Sequence, residues 1–65
     1  MKIIVNGETL VSDAPDLGAL LVELGKGDAK VATSVNEAFV PKTMRSAQAL
    51  SDGDRVEIVA PRQGG

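Results

Sequence analysis

The chain has 65 residues with seven basic and nine acidic side chains, a formal net charge of −2, and neither cysteine nor histidine. At this length we expect one domain with a small aliphatic core, to which Phe39 adds the single aromatic, and no disulfide or Cys/His zinc site can stabilise it. The composition also excludes a thiolate nucleophile and a histidine general base, and it provides neither the basic surface nor the stacking platform of a nucleic-acid-binding protein.

The first elements along the chain are predicted to form a β-hairpin. Residues 2–5 are a β-branched run, and Asn6-Gly7 follows as the strongest short-range signal for a two-residue turn. Residues 8–12 then return as the second strand. The opening apolar run is too short for a signal peptide or a membrane span, so we expect a cytoplasmic protein without a membrane partner.

A helix is predicted next because leucines recur at positions 17, 20, 21 and 24, which lie on one helical face. Asp16 is the preferred N-cap, and Asp13 with Pro15 in the first turn is the alternative start. Gly25 fits the position where a left-handed residue closes a helix. We expect the leucine face to form the core.

Three further strands are predicted in the second half of the chain. Residues 31–35 alternate, residues 39–40 follow a short turn and end at Pro41, and residues 55–60 alternate after a turn at 51–54. Residues 42–48 have an irregular pattern. There, Thr43 is the candidate cap of a single helical turn carrying Met44 and Ala47, and Leu50 is a candidate apolar anchor.

This order of elements predicts an α+β domain with the β-grasp (ubiquitin-like) fold. Its mixed five-stranded sheet would carry one main helix packed across one face, with the last strand at the centre and parallel to the first. We expect residues 1–61 to form the β-grasp domain. Residues 62–65 would form a flexible C-terminal reactive tail, because nothing in them can bury apolar surface.

Three blocks of this sequence are similar to those of a known family. They are Met1 to Glu8, residues 31–36 leading to the run Phe39-Val40-Pro41-Lys42, and residues 50–58 leading to Gly64-Gly65. In order and spacing, over the whole chain, they resemble the sulfur carriers of thiamine biosynthesis, the ThiS family. The chain departs from the family pattern at Lys42, where an arginine often stands, and at Glu37-Ala38, where a second glycine is usual.

The resemblance implies that the C-terminus itself is the reacting group. An E1-like adenylating enzyme of the ThiF type would join the Gly65 carboxylate to AMP from ATP, and a persulfide sulfur donor (a cysteine desulfurase or sulfurtransferase) would convert the adenylate to a thiocarboxylate. A ThiG-type thiazole synthase would accept the sulfur for the thiazole ring. The chain would be a carrier rather than an enzyme, monomeric when free, with no catalytic side chain, bound cofactor or metal.

Two sets of residues are candidates for contact with these partners. Arg62, Gln63 and Gly64 would align the tail in a channel of the activating enzyme, and the alternative is an ordinary polar end. The second set is a possible apolar docking patch on the sheet face opposite the helix, formed by Ile4, Val40 and Val59. Its alternative is the scattered exposure of aliphatic side chains that is normal on any surface.

Other functions are compatible with the same fold. One is the small subunit of molybdopterin synthase or another thiocarboxylate carrier, although such relatives tend to be longer and richer in aromatics. Another is a ubiquitin-like protein modifier joined to lysines by isopeptide bonds, which shares the chemistry as far as the adenylate. The last is a β-grasp interaction module with an inert tail, which an extension past Gly65 would favour.

Overall fold

The computed structural model describes residues 1–60, and the elements in that part follow the predicted order. They are β1 (Lys2–Val5), β2 (Glu8–Val11), α1 (Leu17–Glu23), β3 (Ala32–Val35), β4 (Ala38–Val40), a 3-10 helix (Lys42–Ala47) and β5 (Arg55–Val59). The predicted strands are confirmed to within one residue at each end. The irregular sequence of residues 42–48 takes up the 3-10 helix.

All five strands belong to one mixed sheet with the order β2-β1-β5-β3-β4. The central strand, β5, runs parallel to β1 and antiparallel to β3. Val56 on β5 lies opposite both Val5 on β1 and Val35 on β3, so its side chain projects from the middle of the sheet. The predicted β-grasp topology, with the last strand central and parallel to the first, is confirmed.

Asp16 begins helix α1, as predicted. It has an extended backbone with φ −147°, and its Oδ1 accepts a hydrogen bond from the Ala19 N–H at 2.8 Å. The helix is closed at Gly25, which has φ +75°. The Gly25 N–H donates to the Val22 carbonyl oxygen and the Lys26 N–H to the Leu21 carbonyl oxygen, the two bonds of a Schellman motif.

The core between helix and sheet is entirely aliphatic within the described residues. Its most deeply buried members, at most 2% exposed, are Ile3, Leu17, Leu20, Leu21 and Val56. Leu50 is also buried, as predicted, whereas Leu24 at the helix end is only partly covered. The expectation that Phe39 adds an aromatic to this core is wrong, because its side chain is 70% exposed.

The 3-10 helix differs from the single turn predicted there. Pro41 rather than Thr43 precedes it, without a side-chain cap, and Met44 is 53% exposed. Arg45 is the buried residue of this helix, at 7% exposure. The Arg45 guanidinium lies inside the protein, where the Thr33 hydroxyl and the Val31 carbonyl oxygen accept hydrogen bonds from it.

The predicted boundary at residue 61 and the predicted flexible tail of residues 62–65 lie outside the described residues. Both therefore stay predictions. Among residues 1–60, no helix is both long enough and apolar enough to cross a lipid bilayer.

Replacing Leu20 by alanine tests the leucine face of the helix. Leu20 is fully buried, so Leu20→Ala should lower the free energy of unfolding by about 2–5 kcal/mol through lost apolar burial and the cavity left behind. Val22→Ala is the control on the same helix, because Val22 is 69% exposed and its truncation should change stability by less than about 0.5 kcal/mol. Denaturant melts measure both. Equal losses in the two variants would contradict the observed packing.

Candidate functional site

The site is organised around the end of β5, the last strand before residues 61–65. Because β5 is the central strand, the chain leaves the sheet from its middle rather than from an edge. Val59, the last residue of β5, lies opposite Ala32 on β3. The tail residues predicted to carry the chemistry (Arg62, Gln63, Gly64 and Gly65) lie outside the described residues. What the structure describes is therefore the base from which they start.

Asn6 holds the second half of β5. The Cα register of β1 with β5 ends at Val5 and Val56, and the Asn6 N–H then donates to the Val56 carbonyl oxygen at 2.9 Å. The Asn6 side chain continues the ladder, since its Nδ2 donates to the Ile58 carbonyl at 3.1 Å and its Oδ1 accepts from the Ile58 N–H at 2.8 Å. One side chain thus replaces a whole strand residue and fixes the backbone next to Val59.

A second asparagine holds the opposite end of β5. Asn36, in the turn between β3 and β4, accepts from the Arg55 N–H with its Oδ1 and donates to Asp54 Oδ1 with its Nδ2, both at 3.0 Å. Sequence reasoning treated both asparagines as turn residues only. The available signal was the amide itself, because an aspartate would suit the same turn but could not donate and accept at once.

The turn residues also adopt the backbone that their hairpins need. Asn6 and Asn36 have φ +49° and +50°, the left-handed region that asparagine tolerates better than most residues. Glu37 follows with φ +72°, an uncommon conformation for a residue with a Cβ, and its carboxylate pairs with the Arg55 guanidinium at 3.1 Å. Asn6, Asn36 and Glu37 thus form the turns and also contact β5.

Only two of the three residues of the predicted docking patch (Ile4, Val40 and Val59) lie on the open sheet face, and docking at them stays a prediction. Val40 is 4% exposed and belongs to the core, because its register opposite the buried Thr33 places it on the helix side of the sheet. Ile4 and Val59 do lie on the open face. Val59 lies four positions along β5 from Arg55, the residue opposite Ile4, which is a distance of about 13 Å along the strand. The exposed Glu57 lies between these two levels on the same face.

The apolar surface on the open face lies at one corner instead. Phe39 is 70% and Val59 61% exposed, and both line a shallow groove of about 220 Å³ together with Ala32, Thr33, Ser34 and Glu57. We name its three apolar residues, Ala32, Phe39 and Val59, the apolar corner. Sequence reasoning missed Phe39 because a two-residue predicted strand has no measurable alternation. Phe39 was therefore expected in the core because it is hydrophobic. In the structure it lies opposite Ser34 on β3, and this register places its side chain on the open face of the sheet.

Side chains that could bind a metal ion are dispersed over the part of the chain that the structure describes. In residues 1–60, no three carboxylate, thiol or imidazole side chains come together in a group that could hold a metal ion.

Comparisons with known proteins agree with the β-grasp topology of the sheet and helix. The model of the ThiS family matches residues 2–65. The crystal structure of the thiamine biosynthesis protein (ThiS) from Geobacter metallireducens superposes with a TM-score of 0.85 at 28% identity, over 100% of both chains. The NMR solution structure of a thiamine biosynthesis protein from the same organism gives 0.78 at 26% identity, over 100% of this chain and 88% of the other.

One relative is much longer. A thiazole synthase from Paramagnetospirillum magneticum is 44% identical over 66 residues, which are 100% of this chain but 20% of the relative. The chain thus spans one fifth of the length of that protein.

Topology and comparisons together define a small domain with the ubiquitin-like β-grasp fold. This chain belongs to the ThiS family, the sulfur carriers of thiamine biosynthesis.

Substitution of Asn6 tests its role in holding β5. Asn6→Gly keeps the left-handed turn but removes the side chain, so the Ile58 N–H loses its acceptor and its hydrogen exchange should accelerate about tenfold or more. Asn6→Ala adds backbone strain to the same loss, and should lower the free energy of unfolding by about 1–3 kcal/mol. NMR-detected exchange and denaturant melts measure these effects. An unchanged Ile58 exchange rate in Asn6→Gly would show that the Asn6 side chain does not stabilise the end of β5.

Proposed function

We propose that this chain carries sulfur on the carboxylate of Gly65 and delivers it for the thiazole ring of thiamine. The observation that carries the proposal is the ThiS match over residues 2–65, which includes the Gly64-Gly65 pair. The same match favours thiamine over molybdopterin as the destination. The proposal requires that Gly65 bears a free carboxylate in the working protein.

The first step is activation by an E1-like adenylating enzyme of the ThiF type. A carboxylate is a poor electrophile because it is anionic and resonance-stabilised. One Gly65 oxygen attacks the α-phosphorus of ATP, pyrophosphate leaves, and an acyl adenylate with AMP as a good leaving group is formed. ATP is a substrate of the partner, and the carrier itself binds no cofactor. Two glycines in succession suit a narrow channel toward the nucleotide, and Arg62 and Gln63 align the tail in it.

The second step installs the sulfur. The terminal sulfur of a persulfide on a cysteine desulfurase or sulfurtransferase attacks the Gly65 carbonyl carbon, and AMP leaves. The product is an acyl disulfide, which a thiol reduces so that the thiocarboxylate remains on Gly65 and a disulfide forms on the donor side. A carrier without cysteine suits this step, because the chain has no thiol of its own that could compete for the persulfide.

The acceptor in this proposal is a ThiG-type thiazole synthase. Support comes from the relative named thiazole synthase, in which a segment 44% identical to this chain forms part of one longer protein. Association within one chain raises the effective concentration of a carrier at its acceptor. In this proposal the carrier is a monomeric co-substrate in the cytoplasm, where its partners find ATP and persulfide sulfur.

In this proposal the folded part of the domain provides the surface to which these partners bind. The apolar corner (Ala32, Phe39 and Val59) lies where β5 ends, so a protein that takes up the tail is positioned to cover it. Aromatic side chains are enriched at the centres of protein interfaces, so Phe39 is the expected anchor of this surface. The two hydrogen bonds between the Asn6 side chain and Ile58 hold the end of β5 next to this surface.

Changing the length of the tail tests the reaction at Gly65. Deleting Gly65 shortens the arm by about 3.5 Å, so the new terminal carboxylate stops short of the α-phosphorus and adenylation should be abolished. Adding a glycine after Gly65 lengthens the arm by the same amount and should abolish adenylation as well. Gly65→Ala keeps the length of the arm and should retain partial activity. All three should melt like the parent chain, because the core lies in residues 1–60.

The assay uses the ThiF-type enzyme, ATP and the purified carrier. Intact mass first establishes that the native protein ends at Gly65. Exchange of labelled pyrophosphate into ATP then reports adenylation, and intact mass after addition of the sulfur donor reports the replacement of oxygen by sulfur. Adenylation of the truncated chain at the parent rate would show that Gly65 is not the sulfur site.

A further inference from the structure

A basic groove lies next to the end of β5, on a chain whose net charge is −2. Its volume is about 540 Å³. The residues that line it are Ala29, Lys30, Val31, Ala32, Lys42, Arg45 and Val59. Three of the seven basic residues of the chain are therefore gathered in one place, and no acidic side chain is among the described residues that line it.

Arg45 is the central observation in this groove. Its side chain is more than nine-tenths buried, and its Nε donates to Thr33 Oγ1 at 3.1 Å while its Nη2 donates to the Val31 carbonyl oxygen at 2.6 Å. Both acceptors are neutral. Within residues 1–60 the only ion pair joins Arg55 to Glu37, so the charge of Arg45 has no carboxylate counterpart in the part of the chain that the structure describes. Buried arginines are ordinarily paired with an anion.

The other residues of the groove indicate the kind of anion. Lys30 and Lys42 come from separate segments, the loop before β3 and the start of the 3-10 helix, and both are exposed. The rest of the lining is apolar and includes Val59. A free inorganic anion would use the three cations but leave the apolar lining uncovered. A carboxylate carried next to an apolar side chain would match both parts.

We propose that this groove binds an acidic side chain of the activating enzyme, presented with an apolar neighbour, when that enzyme takes up the tail. The inference rests on the function proposed above. Its geometric basis is the short reach of the tail: five residues beyond Ala60 extend about 17 Å, so a protein holding Gly65 at its nucleotide site must lie close to the end of β5. The groove and the apolar corner share Val59 and Ala32, and one partner can cover both.

Charge reversal at the rim of the groove tests this site without disturbing the buried Arg45. Lys30→Glu and Lys42→Glu, singly and together, are compared with Lys26→Glu, which makes the same charge change at an exposed loop position outside the groove. Lys42→Arg keeps the charge and serves as the conservative variant. Thermal melts confirm that each variant is folded. Pyrophosphate exchange with the ThiF-type enzyme then gives KM for the carrier and kcat at low and at high salt.

The expected result is a binding defect alone. The double variant should raise KM for the carrier about tenfold or more at low ionic strength, with a smaller effect at high salt and kcat unchanged within about twofold. Lys26→Glu and Lys42→Arg should keep the KM of the parent chain within about twofold.

Three results would overturn the inference. Equal KM values for the double variant and Lys26→Glu would do so while leaving the proposed function intact, because every chain would still be adenylated. Saturable shifts of the Lys30, Lys42 and Arg45 amides on titration with inorganic phosphate, matched by phosphate inhibition that the double variant lacks, would assign the groove to a small anion. Failure of the parent chain to be adenylated at all would remove both proposals together.

Discussion

The fold depends on one constraint, namely that β5 occupies the centre of the sheet and is held on both edges. Each neighbour contributes differently: β1 pairs in parallel over two residues, and β3 pairs antiparallel over four. The short parallel register would leave the second half of β5 without partners on that edge. Asn6 supplies them through its side chain, so a turn residue completes the pairing of a strand from the other end of the chain. Stability and the position of the end of β5 therefore depend on the same contacts.

The aliphatic core follows from this arrangement. With β5 central, Val56 and Ile58 project toward the helix from the middle of the sheet, and the leucines of α1 cover them. A domain of this size buries a small fraction of its surface, and without disulfides its few buried leucines supply a large part of its stability. Within residues 1–60, no helix covers the opposite sheet face. In the proposed carrier role, this open face would be available to each partner in turn.

Sequence reasoning predicted the features that are encoded locally. The Asn6-Gly7 turn, the Asp16 cap and the Gly25 closure each require a particular residue at a particular backbone conformation, and all three are confirmed. Features set by pairing between distant segments were not predictable in this way. The side of the sheet on which Val40 lies depends on the β3–β4 register, and the burial of Arg45 depends on acceptors twelve and fourteen residues away. A charged residue in an irregular segment gives no sequence signal that it will be buried.

The two surfaces beside the end of β5 have different consequences for partner choice. The apolar corner presents contact area that any partner can use, since apolar contacts have little directional requirement. The basic groove instead demands an anion at a defined place, and a partner without one leaves the buried Arg45 charge uncompensated and further desolvated. A carrier must release one partner before it meets the next. If all partners use the apolar corner, they compete for the same face of the domain. Only a partner with an anion opposite the basic groove would bind with high affinity. The order in which partners bind can then be set by their charges rather than by a conformational change in the carrier.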